Sequence, residues 1–234
     1  MYMAHGKKYR AALEKLELGK LYSLEEAAKL VKETSTTKFD GSVEIHINLG
    51  IDTTLADQMI RSTVSLPHGI GKKVRVVAFV SEDKVKEAKD AGAIEAGGEE
   101  LIEKIEKGWL DFDTAVATPD MMKNLSKVAR QLGQAGLMPN PKSGTVTLDI
   151  GSTVAQVMKG QVEFRNDKLG NLHNLVGKVS FDTKQLEDNI GAYLKAVNEK
   201  RPQSIKGTFM NSITVCSAMG PAIKLNVSET LGSL

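Results

Sequence analysis

The sequence predicts a protein of mixed α/β and α+β class. A discontinuous α+β domain, residues 1–68 plus 160–234, carries an inserted α/β domain at residues 69–159. Three observations point there. The middle of the chain alternates strand and helix, which demands parallel pairing through helical crossovers. The first 68 residues offer two strands and a helix, a marginal sheet by themselves. The segment after residue 160 offers four more strands and a helix, and joining the two flanks is the economical solution.

Composition agrees with a folded chain. With 234 residues there is ample length for a real core, and 41% hydrophobic against 26% charged residues is globular rather than disordered. Aromatics are only 5%, so that core is mostly aliphatic. The net charge is +2, which argues against a diffuse polybasic nucleic-acid binder, because nonspecific binding rests on phosphate neutralisation. Cys216 is the single cysteine, so neither an internal disulfide nor a cysteine zinc site is expected, and a reducing compartment follows. No segment approaches the ~20 apolar residues of a membrane span and no apolar leader opens the chain, so the expectation is a cytoplasmic protein without membrane contact.

In order along the chain, residues 5–18 form a basic, weakly amphipathic helix. Its early cations Lys7, Lys8 and Arg10 oppose the helix dipole and fit a negative partner or a loose arm equally. Ser23 opens a firmer helix with a capping box to Glu26, and Leu24, Ala27, Ala28 and Val31 form its apolar stripe. Residues 42–49 alternate Val43, Ile45, Ile47 and Leu49 against Glu44, His46 and Asn48, a strand with one wet face. Phe39 just before it fits a core staple better than an exposed apolar contact. A short strand at 62–66 ends at Pro67-His68-Gly69.

From residue 71 the texture changes. Residues 74–80 are a nearly continuous apolar run, a strand covered on both faces. A helix at 81–91 stops at Gly92, a strand spans 93–96 and a helix 99–107. Residues 113–117 are another buried strand, after which Thr118-Pro119-Asp120 caps a helix. A proline-stiffened loop at 136–144, a strand at 145–149 and a helix at 152–159 close the insert. His68, Gly69, Lys159 and Gly160 fall at its two links and are expected to form a paired hinge.

Residues 160–179 then read as a β-hairpin, two period-two runs around an Asn/Asp/Gly turn. Turn chemistry accounts for Asn166, Asp167, Gly170 and Asn171; Arg165, Lys168 and His173 exceed what a turn needs. Together these offer donors, a carboxylate and amides suited to a ligand rich in phosphates, hydroxyls and base edges. Asp182 caps a helix to about residue 200, and strands at 209–215 and 222–227 flank Cys216-Ser-Ala-Met-Gly-Pro221.

Catalytic chemistry has little support. Around Gly71-Lys72 a phosphate-binding loop would need glycine at Leu66 and Ser or Thr at Lys73, and a dinucleotide fingerprint lacks its third glycine. His5, His46, His68 and His173 are scattered, with no helical metal-ligand partner, and Cys216 fits a small buried residue. No catalytic residue, cofactor or metal is therefore expected. The rival reading is an enzyme using the inserted domain on a small phosphorylated ligand at the carboxyl ends of its strands.

The stretches HGKKYR, AAKLVKE, KFDGSVEIHINLGID, TVSLPHGIGKKVRV, GGEELIEKI, FDTAVATPDMM, GLMPNPKSGTVT, EFRNDKLGNLH, KGTF and MGP, in this order and spacing, resemble the bacterial ribosomal protein L-one family over essentially the whole chain. That resemblance implies a split RNA-binding domain with an inserted Rossmann-like, three-layer domain. It implies a structural protein of the large ribosomal subunit, in the mobile stalk beside the tRNA exit site. The partners are then large-subunit rRNA, E-site tRNA and, for the free monomer acting as a translational repressor, a leader in its own operon's mRNA. The family's RNA-binding positions match Lys38, Phe39, Ser42, Glu44, Arg165, Asp167, Lys168, His173, Ser212, Met219 and Gly220. Two positions depart from the pattern: Ala218 stands where threonine is usual, and Ala135 where the second domain's loop usually carries arginine.

Overall fold

A computed structural model describes residues 6–17 and 19–232. The ends of the first helix expected from the sequence, His5 and Leu18, lie outside them. The chain divides into two compact units, Met1–Gly71 with Val162–Leu234, and Lys72–Gln161.

In chain order, α1 (Lys7–Leu13) has Gly6 at its N-cap with no side-chain bond and no acid in its first turn. The next helix, α2 (Leu24–Glu33), is set by the capping box: Ser23 Oγ accepts from the Glu26 N–H and the Glu26 carboxylate accepts from the Ser23 N–H. Strand β1 (Ser42–Leu49) buries Val43, Ile45, Ile47 and Leu49 and leaves every alternate side chain partly exposed. β2 (Arg61–Ser65) follows.

In the second unit β3 (Val76–Phe79) is buried at all four positions. The helix expected at 81–91 opens with a 3-10 turn and continues as α3 (Val85–Asp90). β4 (Glu95–Gly97), α4 (Glu99–Glu106) and β5 (Thr114–Ala117) come next. After Pro119 the helical stretch breaks into 3-10 turns around α5 (Met122–Leu125) and α6 (Ala129–Ala135). Thr118 stands at the N-cap as expected, yet its buried hydroxyl has no partner. The strand expected at 145–149 is a single bridge, Val146 to Ala117, and α7 (Ile150–Met158) begins two residues earlier than expected because Asp149 caps it.

The parallel sheet runs in the order β4-β3-β5. Alternate residues of β3 feed opposite cores. Val77 and Phe79 pack with Leu101, Ile105, Leu125 and Leu132, and Val76 and Ala78 pack with Ala88, Ile150, Val154 and Val157. That is the three-layer α/β arrangement. At the edge of this sheet Asp113 takes Lys72 at 2.7 Å, the Arg75 N–H at 3.0 Å and the Arg75 guanidinium at 3.2 Å, while Asp111 pairs with the same guanidinium. Burial would push the Asp113 carboxyl up, but those donors together hold it at about 2. A depressed carboxylate contributes stability that is complete above its unfolded value near ~3.9 and lost as pH falls through about 2. We expect Asp113→Asn to lower the thermal midpoint at neutral pH and to flatten its fall between pH ~4 and ~2; parallel profiles for parent and variant would remove the cause assigned here.

The first unit continues with β6 (Gln161–Arg165), β7 (Asn171–Lys178), α8 (Thr183–Glu199), β8 (Met210–Ser217), β9 (Ile223–Leu225) and α9 (Val227–Gly232). Its main sheet runs β7-β1-β8-β9, antiparallel throughout, and β2 pairs with β6 apart from it. The expected 160–179 hairpin is therefore corrected: β6 and β7 belong to different sheets, and the Asn/Asp/Gly turn is a corner between them. The reason is local. The Asp167 carboxylate accepts from the Leu169 N–H at 2.8 Å and the Asn171 N–H at 2.7 Å, an Asx-type turn that redirects the chain. Asn166, buried, meanwhile exchanges bonds with Ile60 ahead of β2.

One face of the main sheet is covered by α2 and α8, with Ala27, Ala28, Val31, Leu186, Ile190, Tyr193 and Leu194 in a single core with the inward residues of β1, β7 and β8. Tyr193, fully buried, meets Phe164 edge to face and donates to Asn174 Oδ1 at 2.7 Å. Phe39 does not join this core. It is 60% exposed, because Asp40 turns outward to accept from the Ser180 N–H and hydroxyl and leaves Phe39 at the rim.

Candidate nucleic-acid interface

The outward side chains of the main sheet form ordered rows, since directly paired residues of antiparallel strands point to the same side. Lys178 lies beside Ser42 and donates to its hydroxyl at 2.9 Å. Glu44 faces Cys216, and His46 sits between His173 and Thr214. Asn48 sits between Asn171 and Ser212. From Ser42 to Asn48 this strip spans ~20 Å at ~3.4 Å per residue.

Hydrogen bonds lock much of it. Asn171 Oδ1 accepts from Asn48 at 2.8 Å, and Asn48 Oδ1 accepts from Asn211 at 3.0 Å. His46 Nδ1 and His173 Nδ1 are 2.9 Å apart, and His173 Nε2 is 3.5 Å from Asp167. Burial and the neighbouring His173 push the His46 imidazole down, with Glu44 opposing. The Asn171 N–H, with further donors, holds Asp167 below the usual carboxylate range against some burial. Burial and then Glu44 push the Cys216 thiol up.

At one end of the strip the Ala218 N–H donates to the Ser42 carbonyl and the Gly220 N–H to the Ser217 carbonyl, which folds residues 217–220 into a tight turn. Its tip, Met219, has φ +61 and is 78% exposed. A Cβ on Gly220 would lie 2.2 Å from Ser217 Oγ, so only glycine closes this turn. Lys38 and Phe39 stand at the same end, ahead of Ser42. At the opposite end Lys168 follows Asp167 in the corner, held through its carbonyl by the Thr53 hydroxyl at 2.8 Å, and Ser212 pairs with Asn48. Arg165 ends β6. Lys38, Arg165 and Lys168 are exposed and form no ion pair among the described residues.

Ten of the eleven residues singled out from the sequence thus lie on or at the ends of one sheet, and Arg165 lies on the strand leading into its corner. The sequence reading named Asn171 among the polar residues of its turn but passed over His46, Asn48, Thr214 and Cys216 as members of this face. Alternation already put His46 and Asn48 beside Glu44, and Thr214 and Cys216 beside Ser212; what was missing was the register joining the strands. Cys216 is corrected from buried to partly exposed on this face. Of the link residues, His68 and Gly69 are tied to α8 through Asn189 and Asp188, and Gly71, at φ +73, packs so closely on Lys178 and Phe181 that a Cβ would clash.

The outward face of the sheet is thus a row of hydrogen-bonded polar side chains with the apolar Phe39 and Met219 exposed at one end. Comparison with known proteins gives the family. Residues 31–221 match the model of the "Ribosomal protein L1p/L10e family". "Large ribosomal subunit protein uL1" of Thermus thermophilus is 52% identical over 223 residues, covering 95% of this chain and 97% of the relative. The protein of that name from Chloroflexus aurantiacus is 52% identical over 225 residues, 95% of each chain, and that from Rhodococcus erythropolis 50% over 224 residues, 96% and 94%. The chain belongs to the L1p/L10e family of ribosomal proteins, a structural family and not one of enzymes. Among the described residues no helix is long and apolar enough to cross a membrane.

Proposed function

We propose that this protein is a structural constituent of the large ribosomal subunit in the cytoplasm and that the outward face of the β7-β1-β8-β9 sheet binds large-subunit rRNA. Lys38, Phe39, Ser42, Met219 and Gly220 grip one end, Glu44 and His173 the middle, and Asp167, Lys168, Ser212 and Arg165 the other end. The observation that carries this is the interlocked row of polar side chains. Its members are held before any ligand arrives, so little ordering entropy is lost on binding. Asp167, Glu44 and Ser212 accept from ribose 2′-hydroxyls, which distinguish RNA from DNA. Lys38, Arg165 and Lys168 reach phosphates, and Met219 supplies an adaptable apolar contact.

From the resemblance to the family we further propose a place in the mobile stalk beside the tRNA exit site, with a part in releasing deacylated tRNA. Free of the ribosome, the monomer represses translation by binding a leader in its own operon's mRNA through the same face, so that an rRNA fragment and that leader compete.

Footprinting on large-subunit rRNA locates the contact, and the salt dependence of binding tests its nature. With five cations on or beside the face that form no ion pair among the described residues, Lys38, Arg165, Lys168, Lys178 and Lys224, log Kd against log salt should have a slope of magnitude about 3–5. A slope of about 8 or steeper would mean a polybasic surface elsewhere does the binding.

A further inference from the structure

Glu44 and His46, two apart on β1, meet Cys216 of β8 on the same face of the sheet. His46 Nε2 is 3.4 Å from Cys216 Sγ and 3.8 Å from Glu44 Oε2, and the three donor atoms all lie within 4.8 Å of one another. We propose that Glu44, His46 and Cys216 form a three-ligand site for a borderline-soft divalent cation, with zinc the natural occupant. Thiolate, imidazole and carboxylate together select such an ion over magnesium or calcium, which prefer all-oxygen shells. With Zn–S about 2.3 Å and Zn–N about 2.0 Å, the sulfur–nitrogen edge of a tetrahedron is about 3.5 Å, the spacing found between Cys216 and His46. Glu44, whose side chain is partly exposed, closes its remaining gap by a small torsional change.

The groups behind His46 prepare it for this role. The Asp167 carboxylate accepts, so His173 Nε2 carries the proton that faces it. His173 Nδ1 then accepts, and His46 Nδ1 must donate across their 2.9 Å contact. His46 Nε2 is left with its lone pair directed at Cys216 and Glu44. A carboxylate–histidine–histidine line of this kind is the outer shell that fixes the tautomer of metal-bound imidazoles. Binding exchanges the Cys216 thiol proton, released to solvent, for a metal–sulfur bond, and the fourth position, open on the sheet face, takes a water. The site does not depend on the RNA reading, since it is complete in the protein alone.

The test is a titration of the full-length, chelator-treated protein with Co2+ and then Zn2+. The expected result is a thiolate-to-cobalt charge-transfer band in the near ultraviolet with visible bands of four-coordinate intensity. The bands should saturate at one equivalent and be bleached by zinc. Cys216→Ser should abolish the charge-transfer band, and His46→Gln and Glu44→Gln should each weaken binding at least about tenfold. His173→Phe, which removes no ligand, should weaken it about 10–100-fold by releasing the His46 ring. Absence of the charge-transfer band in the parent protein, or equal cobalt affinity in parent, Cys216→Ser and His46→Gln, would overturn the site and leave a hydrogen-bonded trio.

Discussion

Asn189→Leu should destabilise the first unit by about 3–5 kcal/mol, the largest effect expected from one substitution outside the aliphatic core. Asn189 is fully buried on α8. Its Oδ1 accepts from the His68 N–H at 3.0 Å, and its Nδ2 donates to the Gly69 carbonyl at 2.9 Å and the Val176 carbonyl at 2.8 Å. Leucine has a similar volume but leaves three backbone groups without partners, each costing about 1–3 kcal/mol when buried. Two probes separate the units. Trp109, the only tryptophan, reports on the second unit, while α8 and the main sheet dominate the far-ultraviolet dichroism of the first. Denaturant titration should move the dichroism midpoint far down. A shift worth less than about 1 kcal/mol would mean that water takes over the asparagine's bonds.

Gly220→Ala should weaken rRNA binding by about 10–100-fold and lower the thermal midpoint by several degrees, without unfolding the first unit at ambient temperature. The added methyl, 2.2 Å from Ser217 Oγ and 3.1 Å from the Ser217 carbonyl, forces the turn open and displaces Met219. Relieving such a clash costs about 1–3 kcal/mol of folding stability, and the displaced Met219 contact is what weakens binding, at ~1.4 kcal/mol per tenfold. Ser217 supplies the control. Its hydroxyl is buried without a partner, so Ser217→Ala is expected to be tolerated alone and to recover part of the affinity in the double variant. Removing Lys7 and Lys8 together should matter less than Gly220→Ala. The reverse ranking, or a double variant no better than the single, would move the contact away from this turn.

How much of this was legible beforehand differs from residue to residue. The two faces of β1 and the Ser23–Glu26 box follow from patterns confined to a few neighbouring residues, and both stand as the sequence states them. The last helix, α9, was equally local and was passed over: Asn226 Oδ1 accepts from the Glu229 N–H, a cap visible in the spacing, but the strand pattern was extended across it. The 160–179 hairpin failed for a different reason. Period-two runs on either side of a turn say that two strands exist, and nothing about which partners they take. Phe39 failed likewise, since a lone aromatic before a strand does not reveal that Asp40 is claimed by Ser180, 140 residues away.

By itself the sequence determined the family, the strand and helix faces, the absence of bulk positive charge and the polar content of the 165–174 stretch. These are properties of composition and of neighbours within one or two turns of chain. Only the tertiary structure decided that His46 meets His173, 127 residues distant, and Cys216, 170 residues distant, and that Asn48 bridges Asn171 and Asn211. The physical reason is that alternation sets which way a side chain points, whereas its neighbour across the sheet is set by strand order and register. Those arise when the whole core packs at once, and no local pattern encodes them.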